Sequence, residues 1–190
     1  MTSFLQLTII KKIDFGIKIG GKMTSAFENM RAFWLDANNF RTKDTNEIPA
    51  TCVCGIEFCM LDHYQKPKKV FIAASHLGNA SMYFENNSKS GIGGVIGGDS
   101  KEMKKASFDF LKEAQNCQKN MQKVDTLPLP SEIGKITLFL LGKDGTFVHT
   151  ESEDTLRNQN NFFYKFFAAS QKLIGVFRWQ QDNAQKPAQA

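Results

Sequence analysis

No apolar run in the sequence approaches the roughly 18 residues that a membrane-spanning helix needs, so no span is expected. The stretch Phe4 to Ile10 is apolar but short. It has no basic residue before it and no small-residue cleavage site, and is not expected to act as a secretory leader. Arginine is scarce, with only Arg31, Arg41, Arg157 and Arg178 among 24 Lys and Arg. Arginine is the better reader of bases and phosphates. With the lysines spread along the whole chain, a net charge of +5 leaves nucleic-acid binding a minor alternative. The four cysteines, Cys52, Cys54, Cys59 and Cys117, do not have the spacing of a disulfide framework. Cys52 and Cys54 are expected on one face of a strand as reduced core thiols, which fits a cytoplasmic protein.

The 190 residues are otherwise ordinary for a globular chain, with 42% apolar, 12% aromatic and 23% charged residues. That composition excludes a disordered chain, a collagen-like repeat and a long coiled coil. The unusual count is 17 Phe, enough large buried groups for a substantial core without staples.

Leu5, Leu7, Ile9, Ile13, Phe15, Ile17 and Ile19 alternate with polar residues, which predicts one long strand or two, ended by Gly20-Gly21. Met23-Thr24-Ser25 repeats Met1-Thr2-Ser3 and suggests an alternative start at Met23, although the alternation before it has the pattern of real structure. Ser25 and Glu28 form a capping box for an amphipathic helix over 26–38. Residues 50–61, apolar on both faces, predict a central strand, and Val70–Ala74 and Ser81–Phe84 predict two more. Asp99 with Glu102 signals a second cap, before a helix over 100–122 striped by Met103, Ala106, Phe110, Leu111, Ala114, Cys117 and Met121. Asp144-Gly145 predicts a hairpin between 136–141 and 146–150. A last helix begins in the acidic turn Glu151, Glu153 and Asp154 and buries Leu156, Phe163, Phe166, Phe167, Ser170, Leu173, Ile174 and Phe177. The reading is a single α+β domain over 1–179, a mostly antiparallel sheet with about three helices packed on one face, and a flexible tail over 180–190.

Each motif capable of chemistry fails at a specific residue. The stretch Gly91 to Gly98 leads into a helix, but Asp99 and Ser100 follow where a phosphate loop needs Lys and a hydroxyl. The dinucleotide pattern fails too, because Ile96 stands at the place of its third glycine. The stretch therefore reads as a mobile loop displaying Ile92, Val95 and Ile96 to a protein partner. Cys52, Cys54, Cys59 and His63 lack the turn-borne pair spacing of a zinc site, so neither a metal nor a cofactor is expected. His63, His76 and His149 sit in no catalytic signature, and no catalytic residue is assigned. A small enzyme using His76 or His149 with a Cys or carboxylate partner is the main alternative. The lysine face of the 100–122 helix is the basis of the nucleic-acid alternative. Phe162, Phe177 and Trp179 add more aromatic surface than a monomer needs.

From residue 24 to 177, the order helix, three strands, helix, two strands, helix looks like that of secretion-chaperone domains. Roadblock-type adaptors use the same parts in a different order. The resemblance is one of topology, without a shared motif, and implies a small module that dimerises and binds proteins without catalysis. The leading expectation is accordingly a non-enzymatic interaction module, with a protein partner or a second copy of itself.

Overall fold

A central run that is apolar on alternate and intervening positions alike must be covered on both sides. The computed structural model, which describes residues 18–19, 22–23, 25–85, 92–97 and 99–184, shows that run as β3, Val53–Leu61. The expected N-terminal strand pattern lies outside the described residues, apart from Lys18–Ile19 (β1), which pairs antiparallel with Lys22–Met23 (β2). Strand β3 pairs with β4 (Pro67–Ser75), and β4 with β5 (Ala80–Glu85), all antiparallel. On its other side β3 pairs with β8 (Lys135–Gly142), which forms the expected hairpin with β9 (Gly145–Ser152). Ile92–Ile96 (β6) and Gln122–Val124 (β7) complete an antiparallel seven-stranded sheet in the order β6-β5-β4-β3-β8-β9-β7. This is an α+β fold.

Strand alternation sends Cys54, Ile56, Ile72, Leu138 and Leu140 to one face, where α2 (Lys101–Cys117) and α4 (Tyr164–Ala184) cover them. Val53, Phe71, Ala73, Tyr83 and Phe139 point the other way, under Phe27 and Trp34 of α1 (Ala26–Leu35) and Phe40 of the 3-10 turn after it. The helices therefore lie on both faces rather than one, because β3 and β4 carry apolar residues on both. Phe27, Phe71, Phe110, Phe139, Phe166, Phe167 and Phe177 are all fully buried. Each such side chain contributes about 1.5–3 kcal/mol by leaving water, so phenylalanine dominates the core of both layers.

The helix ends show what local chemistry decides. Ser25 Oγ accepts from Glu28 N at 3.1 Å and the Glu28 carboxylate accepts from Ser25 N at 2.9 Å, so the capping box forms as expected. At α2 the cap is Ser100, not Asp99: its hydroxyl accepts from Met103 N at 3.1 Å, and Asp99 pairs instead with Lys104. The expected last helix is divided. Ser152 caps α3 (Glu153–Arg157), and the chain then turns before α4. Asn158 and Asn161 cause the break, their side-chain oxygens accepting from Asn160 N and Phe163 N two residues ahead. Helix α4 then continues through Gln180 to Ala184, into the stretch expected to be tail, and 185–190 lie outside the described residues.

The segment expected as a mobile glycine loop contains β6. Its register sets Phe84 of β5 opposite Gly93. A Cβ at Gly93 would come within 2.2 Å of the Phe84 ring, so this glycine makes room for an aromatic side chain rather than a phosphate.

Candidate functional site

Antiparallel register aligns Phe58 of β3 with Val70 of β4, and Val70 with Phe84 of β5. All three side chains point toward the layer of α2 and α4. One row further in, Ile72 pairs with Met82, and one row further out Met60 pairs with Lys68. Among the described residues the helical cover is incomplete at this corner of the sheet. A groove of about 390 Å³ is left between the ends of the three strands and the second half of α4, which contributes Ile174 and Arg178. Its floor is apolar: Phe58, Val70, Ile72, Met82, Phe84 and Ile174. Met60 and Leu61 at its end are exposed, as is Tyr64 in the turn beyond.

The polar rim comes from the turn joining β3 to β4. The Asp62 carboxylate accepts from Tyr64 N at 2.8 Å and Lys66 N at 2.9 Å. The Lys66 amide first of all, with the Tyr64 amide and Lys68, holds this carboxyl below the ordinary range for aspartate. Gln65 takes the left-handed conformation, φ 59°, needed to close the turn. Lys68 Nζ lies 3.5 Å from Asp62, so this cation is already matched. His63 packs against Tyr64 with ring centroids 3.6 Å apart. Arg178 is exposed and has no ion pair among the described residues. The groove therefore combines an apolar floor with a guanidinium at its edge that has no ion pair among the described residues.

The residues expected to meet a partner are dispersed. Ile92 packs toward the α1 core and Val95 toward the α2–α4 core, while Ile96 is half exposed. Phe177 belongs to no surface: it is fully buried, at 0% exposure. Phe162 and Trp179 are exposed at 52% and 54%, but Phe162 lies just before α4 and Trp179 about 22 Å along the helix from Tyr164 by helical rise. The groove residues escaped sequence reasoning because Phe58, Val70 and Phe84 become neighbours only through strand register. Their shared alternation phase was the available signal.

Among the described residues neither His76 nor His149 makes a side-chain hydrogen bond to a Cys or a carboxylate, although the His76 amide donates to the Cys52 carbonyl at 2.9 Å. Neither ring nitrogen of His76 has a hydrogen-bond partner, nor does Nε2 of His149. The His149 ring stacks on Phe163 at 3.7 Å, and burial pushes its pKa below the ordinary value, against a smaller opposing pull from Glu151. All four cysteines are unpaired and buried. Cys52 and Cys54 do not share a face as expected. Cys52 precedes the strand and packs in the α1 core, and Cys54 packs in the α2–α4 core. Burial drives the Cys52 and Cys117 thiols up to about 11 and pushes the Cys54 thiol well above its ordinary value, which suppresses thiolate chemistry at these three. Among the described residues no three of His, Cys, Asp and Glu converge as metal ligands, and no helix is long and apolar enough to cross a membrane. The lysines of α2 face solvent and are interspersed with Glu102 and Asp109.

The most deeply set charges are also internally matched. Glu57 on β3 is buried beneath α1 and meets Arg31 through both oxygens, at 2.6 and 3.0 Å. Arg31 also donates to the carbonyls of Leu127 and Pro128 at 2.7 and 3.1 Å. Burial pushes the Glu57 pKa up and Arg31 pulls it partly back. No known family model matches the chain, and no curated protein matches its sequence.

Proposed function

We propose that this protein is a non-enzymatic interaction module of a single α+β domain that binds a protein through the groove between the β3-β4-β5 corner and α4. The observation that carries this reading is the open apolar floor, where Phe58, Met82, Phe84 and Ile174 are only partly covered by the helices. Apolar surface of this kind, continued by exposed Met60, Leu61 and Tyr64, gains free energy when a second surface removes it from water. The mutual pairing of Glu57 and Arg31 supports binding over turnover, since each already has its own partner. Four unpaired thiols suit work in the reducing cytoplasm.

The test uses the full chain and an exposed groove position whose change leaves the core intact. Wild-type protein should take up bis-ANS saturably, or self-associate across a concentration series in sedimentation velocity, and Met60→Glu should abolish either behaviour. A strict monomer at high concentration that takes up no dye overturns the proposal.

A further inference from the structure

We infer that the groove accepts an apolar peptide segment that carries a carboxylate, with Arg178 as the group that receives it. The inference rests on the interaction-module reading above and adds the chemistry of the partner.

Charge around the groove carries the argument. Of the cations at its edge, Lys68 is matched by Asp62. Both amide bonds to Asp62 fall on Oδ1, its Oδ2 faces Lys68 at 3.5 Å, and Asp62 makes no ion pair with Arg178 among the described residues. Arg178 is exposed and without an ion pair among the described residues, and a guanidinium binds a carboxylate through two parallel hydrogen bonds. Beside an apolar wall such a pair is less screened than in open water. His63, the other titratable group on the rim, adds no negative charge in either protonation state.

Geometry sets the pattern. Ile174 and Arg178 are one turn apart on α4, about 6 Å along its axis, and lie on the same side of the helix. An occupant that places one apolar side chain over Ile174 and another over Phe58 or Phe84 brings its next group to Arg178. A peptide rather than a small amphiphile is the better match. The apolar surface does not end with the groove but runs out over Met60, Leu61 and Tyr64, where an extended chain gains further contact.

Random dodecapeptides displayed on phage, selected against the full chain, provide the test, with the enriched sequences remade as labelled synthetic peptides for anisotropy titration. Enriched peptides should share two apolar residues within one helical turn of an Asp or Glu. Arg178→Glu, at an exposed position, should weaken them by about tenfold or more, the scale of losing a charge-assisted bond. Replacing the peptide's acid by Lys should restore binding to that variant. Peptides whose binding is lost in Met60→Glu but changes less than about twofold in Arg178→Glu would overturn the carboxylate while sparing the interaction reading. Selection of no peptide, or of peptides indifferent to Met60→Glu, overturns both. Saturable binding of dodecanoate, blocked by Met60→Glu and with no peptide enriched, shows a small-amphiphile site and likewise overturns the inference.

Discussion

Arg31 clasps α1 to the sheet by gripping Glu57 with two nitrogens, at 2.6 and 3.0 Å, while the same guanidinium holds the carbonyls of Leu127 and Pro128. One side chain thus joins three parts of the chain that are remote in sequence: the first helix, the central strand and the linker before β8. A buried charge tolerates this position only while its partner is present.

Arg31→Met should therefore cost about 3–5 kcal/mol at pH 7.5, since it strands an ionised Glu57 in the core. Without the guanidinium, burial alone acts on Glu57 and its folded pKa rises further above the unfolded value. A raised folded pKa gives stability that is present at low pH and lost as pH increases. The deficit relative to wild type should accordingly shrink at pH 5. The double variant Arg31→Met/Glu57→Leu should recover most of the loss, as read from urea midpoints of the four proteins in a double-mutant cycle.

Gly55 on β3 occupies a second point of close approach. A Cβ there would lie 2.2 Å from the carbonyl oxygen of Ile72 and 2.3 Å from the Phe139 ring, which is itself stacked on Phe71. Gly55→Ala should destabilise the protein by about 1–3 kcal/mol, the usual scale of overpacking. Phe139→Leu in that background should give only partial relief, because the backbone oxygen of Ile72 stays in place. Thermal melts of the single and double variants would decide this, and a melt of Gly55→Ala indistinguishable from wild type would refute the packing argument.

His149 is held neutral by burial against Phe163. Its folded pKa lies below the unfolded value, so below about pH 6.5 the unfolded chain takes up the proton first and stability falls with pH. His149→Phe retains a ring against Phe163 and removes the unpartnered Nε2. Its stability at pH 7.5 should match or slightly exceed that of wild type, and part of the loss between pH 7.5 and 5.5 should vanish. Urea denaturation at the two pH values measures this, and an undiminished acid slope in the variant would rule out the role of His149.

Much of the architecture is readable from local chemistry. The capping box at Ser25 and Glu28, the Asp144-Gly145 hairpin and the buried stripe of α2 all follow from interactions between residues close in the chain. The misreadings share a different cause. Phe177 and Phe162 are the same residue type, yet one is fully buried and the other half exposed, and only the docking of α4 on the sheet separates them. The glycines of β6 suggest a mobile loop until Phe84 is placed across Gly93. Strand β7 is too short and too polar to stand out before β9 supplies its hydrogen bonds.

The sequence by itself determined the α+β class, the capping box of α1 and the phenylalanine content of the core, since alternation, helical spacing and turn chemistry act over a few residues. Tertiary structure alone decided that Arg31 meets Glu57 across 26 positions and that Phe58, Val70 and Phe84 line one groove beside Arg178. Strand register and helix docking join residues with no sequence proximity, and no local propensity encodes where cover runs out.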